Sequence, residues 1–70
     1  MIRNVHVDVV IVNWNGGRFL PACLRALAAS TWPVRIVVVD NASTDGSPEY
    51  LRAEHPEIEL VALRENAGYA

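Results

Sequence analysis

The apolar positions change period along the chain. Val5, Val7, Val9 and Ile11 alternate with His6 and Asp8, and Val10 and Val12 then fill the other face. Period two predicts a first strand that becomes more buried as it proceeds. It stops at Asn13-Trp14-Asn15-Gly16-Gly17, where Asn and Gly make a tight turn available. From Arg18 the period is helical. Leu20, Cys23, Leu24 and Leu27 fall at i, i+3, i+4 and i+7, with Phe19 and Ala28 beside them and Arg18 and Arg25 off the stripe. Such a stripe packs on a core, so Cys23 reads as a small core residue. Pro21 is tolerated in the first turn. Ser30-Thr31-Trp32-Pro33 ends the helix, because the residue before a proline avoids the helical region.

A second apolar run covers 34–39, and Ile36 to Val39 are all β-branched. It is too short for a globular helix and reads as a strand buried on both faces, with helices above and below the sheet. Ser47-Pro48-Glu49 then opens a short helix over 48–54: Ser caps, Pro suits the first position, and Glu complements the dipole. Pro56 terminates it. Ile58, Leu60, Val61 and Leu63 form a third strand, followed by the loop Arg64-Glu65-Asn66-Ala67-Gly68. Residues 1–4 have no pattern and read as a frayed end.

The result is one α/β domain over 1–70, a Rossmann-like β-α-β-α-β unit. Crossovers of this length join parallel strands, here a three-stranded sheet of order 3-2-1. The loops 13–17, 40–46 and 64–68 then share the carboxyl edge, where open α/β sheets bind ligands. The first strand keeps a free apolar edge, which is an association hazard. A neighbour is expected beside it, whether a further strand or a second copy.

Composition narrows the classes. At 51% apolar residues the chain is globular, not disordered. With 70 residues it forms one domain at most. A net charge of −2, no Lys and scattered Arg argue against nucleic acid as a partner. The single Cys excludes an internal disulfide and a Cys-based metal site, and fits a reducing compartment. Neither a signal peptide nor a membrane span is expected from 1–70.

The chemistry concentrates in the loops. Neither Gly-x-Gly-x-x-Gly nor Gly-Lys-Ser/Thr occurs, and Gly16-Gly17 reads as a turn. His6 and His55 are too scattered for a Ser-His-acid set and read as solvated or structural. Asp45 before Gly46 reads as a turn and helix-start residue. Asp40 stands apart because it ends the most apolar strand. It either caps the following turn or accepts a ribose hydroxyl or base N–H. Trp14 either forms a wall for a flat base or covers the sheet end. Asn66 and Gly68 read equally well as an ordinary loop.

Three segments then resemble one family. Val9-Val10-Ile11-Val12-Asn13-Trp14-Asn15, Val37-Val38-Val39-Asp40-Asn41-Ala42-Ser43-Thr44-Asp45-Gly46-Ser47 and Arg64-Glu65-Asn66-Ala67-Gly68-Tyr69-Ala70 look like the opening motifs of family-2 glycosyltransferases, in order and at matching spacing. The nearest branch contains the rhamnosyltransferase-like enzymes of bacterial polysaccharide synthesis. The resemblance implies a GT-A fold, here incomplete, that binds a nucleotide-sugar. It places Asn13 and Trp14 along the nucleoside, gives Asp40 a hydrogen bond from the base N–H, and puts Asn66 and Gly68 in the loop that closes the pocket. Asn41 and Arg64 are further contacts by the same analogy. The usual Thr-Tyr-Asn or Asn-Tyr-Asn of the first loop is here Asn13-Trp14-Asn15, which keeps an aromatic.

The resemblance also implies partners. The donor would be a nucleoside-diphosphate sugar of UDP or dTDP type, and the acceptor a saccharide or lipid-linked sugar. The compartment would be cytoplasmic, at the inner face of the membrane. Family members hold Mg²⁺ or Mn²⁺ on an Asp-x-Asp-like element and use a later carboxylate as general base. Neither lies in these residues, so no catalytic or metal-binding residue is assigned here and the 70-residue chain is expected to be inactive. Two other readings compete. One is a non-enzymatic Rossmann-like module that self-associates through the first-strand edge. The other is a dinucleotide-dependent oxidoreductase with Asp40 on the ribose, which the missing glycine fingerprint disfavours.

Overall fold

A computed structural model describes residues 7–65. The order is β1 (Val7–Asn13), α1 (Leu20–Ala28), β2 (Val34–Asn41), α2 (Ser47–Glu54) and β3 (Glu59–Leu63). The three strands form one sheet in the order β1-β2-β3, and both pairings are parallel. The α/β class, the element order and the strand order are those the periodicities predict. Asn66 and Gly68 lie outside the described residues.

The register fixes which side chains share a face. Val9 pairs with Ile36, Ile11 with Val38, and Val38 with Leu60. Paired residues of neighbouring strands point the same way, so these form one face. Leu20 and Leu24 of α1 and Leu51 of α2 pack with Val38 as the buried core, and Ile11, Ile36, Tyr50, Ile58 and Leu60 border it. Both helices therefore cover the same face. Right-handed crossovers that step in one direction across a sheet put successive helices on one side.

This corrects the expectation of helices on both faces. The other face carries Val10, Val12, Val37, Val39 and Val61, aligned by the same register. Val10 is 62% exposed. Val12 and Val61 are also exposed, and Val37 and Val39 are half-buried. A run of β-branched residues specifies a strand that can be buried on both sides, not that the chain itself buries both.

Cys23 is a second correction, since it is exposed. Only Leu20 and Leu24 of the stripe are buried in α1, while Leu27 is half-buried. A helix of 9 residues on a three-stranded sheet meets it along a narrow line, and Cys23 falls beside that line. His55 follows the last residue of α2 and is held structurally. Its Nε2 lies 3.0 Å from the Tyr50 hydroxyl and its Nδ1 3.4 Å from Glu57.

The core is small, so each member matters. Leu51 is 1% exposed. Replacing Leu51 with Ala removes buried methyl groups and leaves a cavity, with an expected loss of about 2–4 kcal/mol. Urea unfolding monitored by circular dichroism measures it.

Candidate functional site

The strand register brings Asn13 and Asp40 together. Asn13 at the end of β1 pairs with Asp40 near the end of β2, and Asp40 pairs with Ala62 of β3. Asp40 is 1% exposed. A buried carboxylate is costly unless it is paired or hydrogen-bonded, and Asp40 is hydrogen-bonded at both oxygens. Oδ1 accepts from Asn13 Nδ2 at 2.8 Å and from the Ser43 hydroxyl at 2.8 Å. Oδ2 accepts from the Ser43 backbone N–H at 2.9 Å.

The backbone is bent to achieve this. Ala42, between Asp40 and Ser43, has φ of +62°. A left-handed conformation in an L-residue other than Gly or Asn costs roughly 1–2 kcal/mol. The turn it makes lets both the amide and the hydroxyl of Ser43 reach Asp40. Asn15, with φ of +52°, bends the first loop toward the second at a position where Asn is tolerated.

The two loops are clasped at two places. Asn15 N–H donates to the Ser43 hydroxyl at 2.8 Å, and Thr44 N–H donates to Asn15 Oδ1 at 2.8 Å. Further on, Gly17 N–H donates to Asp45 Oδ2 at 2.8 Å. Asp45 Oδ1 also accepts from the backbone N–H and the hydroxyl of Ser47. The N-cap of α2 is Gly46 with φ of +87°, so the caps expected from the sequence are shifted: Asp45 serves the first-turn donor of α2 and Ser47 is its first residue.

Close approach fixes Gly16. A Cβ there would lie 2.6 Å from Asn13 Oδ1, the amide whose nitrogen holds Asp40. The other residues named from the sequence have different settings. Asn41 is fully buried and has interactions of its own. Trp14 is 54% exposed beside Asn13, and Arg64 is exposed just after β3. Phe19, beyond the first loop, is exposed with the Arg18 guanidinium 4.9 Å from its ring centre.

A groove of about 850 Å³ lies elsewhere, between α1 and α2. Leu24, Ala28, Trp32, Ile36, Tyr50 and Ile58 line it, and the strand residues among them belong to the first half of β2. Its lining includes no residue of the loops 13–17 and 40–46. Among the described residues, no group of three or more His, Cys, Asp or Glu side chains could hold a metal ion. The described part of the site is a hydrogen-bonded polar network around one carboxylate. Among those residues, too, no helix is long and apolar enough to cross a membrane.

The family model "Glycosyl transferase family 2" matches residues 8–70. The chain belongs to that family. It is 36% identical over 64 residues to an N-acetylglucosaminyl-diphospho-decaprenol L-rhamnosyltransferase of Mycobacterium tuberculosis, found alike in strains CDC 1551 / Oshkosh and ATCC 25618 / H37Rv. The match covers 90% of this chain and 21% of that enzyme. Among solved structures it resembles the mannosyltransferase PcManGT from Pyrobaculum calidifontis, determined with GDP-Man and Mn2+. The TM-score is 0.74 at 30% identity, over 93% of this chain and 21% of that one. The fold of this family-2 chain is thus GT-A-like. The chain spans about a fifth of the length of the relatives it matches.

Asp45 gives the clasp a pH dependence. The Ser47 hydroxyl first, and then the Gly17 N–H, hold its carboxyl below the ordinary value of 3.8. A depressed folded-state value contributes stability that is present above the unfolded value and lost as pH falls through the folded one. Wild type should therefore exceed Asp45→Asn in stability by a small margin that is full above about pH 5 and shrinks below about pH 4. Unfolding midpoints across pH 3–6 measure it, and a margin that grows on acidification contradicts the assignment.

Proposed function

We propose that the carboxyl edge of this sheet binds the nucleoside diphosphate of a sugar donor, and that the protein transfers that sugar to a saccharide or lipid-linked acceptor. The observation that carries the reading is Asp40, a buried carboxylate at a strand end, between two clasped loops, in a family-2 chain. Asn13 and Trp14 lie along the nucleoside, with Asn41, Arg64, Asn66 and Gly68 completing the pocket. An exposed indole beside a buried acceptor suits a flat base that needs one apolar wall and one hydrogen-bond partner.

The base reaches Asp40 by exchange. Its ring N–H takes the place of the Asn13 amide, and the carboxylate keeps its Ser43 donors throughout. Charge-assisted hydrogen bonds are the strong ones, and a site built to accept a ring N–H rejects a base that lacks it. A donor of UDP or dTDP type satisfies this. Guanine also carries a ring N–H, and the Pyrobaculum neighbour was solved with GDP-Man.

Glycosyl transfer further requires a group that deprotonates the acceptor hydroxyl. The described residues supply no metal site, so Mg²⁺ or Mn²⁺ at the donor diphosphate would take its ligands from elsewhere. On this reading residues 1–70 are the donor-nucleotide-binding portion of a catalytic domain and bind without transferring. The cytoplasmic side of a membrane is the compartment proposed, as the place where nucleotide-sugars and lipid-linked acceptors meet.

Asp40→Ala in the protein as its gene encodes it should weaken nucleoside-diphosphate binding at least tenfold by calorimetry, the scale of a hydrogen bond to a charged group. Unchanged affinity would remove Asp40 from the site.

The exposed edge and bare face of β1 favour a second reading, a self-associating module. Val7, Val10 and Val12 are all exposed, and β1 pairs only with β2 among the described residues. Light scattering of the 70-residue chain separates the two. A discrete stable dimer supports the module, and aggregation or unfolding supports the donor-binding portion.

A further inference from the structure

Ser43 hydrogen-bonds to Asp40, Asn13 and Asn15 at once. Its hydroxyl donates to Asp40 Oδ1 at 2.8 Å and accepts from the Asn15 N–H at 2.8 Å and from Asn13 Nδ2 at 3.3 Å. Its backbone N–H donates to Asp40 Oδ2 at 2.9 Å. One side chain thus joins both loops to the carboxylate, and it does so from the far side of a residue held at φ of +62°. Backbone strain kept at a ligand-facing loop marks a geometry that the surrounding contacts over-determine.

We propose that Ser43 is a positioning residue for nucleoside recognition, aiming Asp40 at the base and setting which bases the site accepts. The inference rests on the donor-binding reading above. A carboxylate at a strand end can rotate about its Cβ–Cγ bond, a broad two-fold torsion. The Ser43 amide holds one oxygen and the Ser43 hydroxyl holds the other, so the carboxylate plane is fixed before a ligand arrives. The Asn13 amide is the replaceable donor, because Ser43 Oγ offers it a second acceptor at 3.3 Å. Without the Ser43 hydroxyl, Asn15 N–H loses an acceptor and Asp40 Oδ1 keeps only the exchangeable Asn13 amide, so once the base displaces that amide the carboxylate is held by protein at Oδ2 alone. A base N–H then meets a mobile acceptor, and preorganisation is lost.

The test uses the encoded protein and four probes, UDP, dTDP, GDP and CDP. The first three present a ring N–H and CDP does not. Ser43→Ala should weaken the best-bound of the first three about tenfold and leave CDP nearly unchanged, so that selectivity collapses. Ser43→Thr, which keeps the hydroxyl, should restore it. If Ser43→Ala does not fold, Ser43→Cys, whose thiol is only a weak donor, makes the same comparison. Equal weakening of all four nucleotides, or no change in any, overturns the proposal, since a purely structural role moves them together. If wild type binds none of the four, the donor-binding reading falls first, an outcome distinct from failure of Ser43.

Discussion

A carboxylate removed from water dictates the arrangement at the sheet edge. Asp40 is at 1% exposure, where an ion without hydrogen bonds would be too costly to keep. Its partners come from two directions: Asn13 from the neighbouring strand end, and Ser43 from a turn that must fold back to reach it. The Asn13 amide that makes the first contact turns its Oδ1 toward Gly16, where a Cβ would crowd it. The second loop has to reverse at Ala42. The positions of both loops follow from one charge.

The same set of contacts ties the two loops to each other. Asn15, Ser43 and Thr44 close one side of the clasp, and Gly17, Asp45 and Ser47 close the other. Polar groups that already satisfy one another are held in place without a ligand, and no buried side-chain N or O among the described residues lacks a partner. Polar networks of this kind are specific because half-satisfied alternatives are worse than the native one.

Much of this was legible from residue order. The β-branched run ending in Asp40, the helical stripe of α1 and the Ser-Pro-Glu start of α2 each carry a local signal, and each element formed within a residue or two of its expected place. The carboxyl-edge cluster of loops followed from the parallel topology. What was not legible depends on long-range geometry. Ser43 and Asn15 meet across 28 residues of sequence, and nothing in either loop alone announces the other. Cys23 and the bare sheet face were misread for a related reason. Apolarity shows that a surface can be buried, and topology decides whether it is.

The strand order β1-β2-β3 has a temporal side. Each strand pairs with the strand before it in sequence, and each helix packs on strands adjacent to it along the chain. Each such pairing closes a whole strand-helix-strand crossover, so parallel pairing is slow to form even between successive elements. Asn13, Asp40 and Ser43 all lie in the first crossover or the loop that follows it, so the hydrogen bonds to the Asp40 carboxylate involve no residue of α2 or β3. The polar cluster around Asp40 is thus the product of one crossover and its following loop, and β3 adds to it a neighbouring strand.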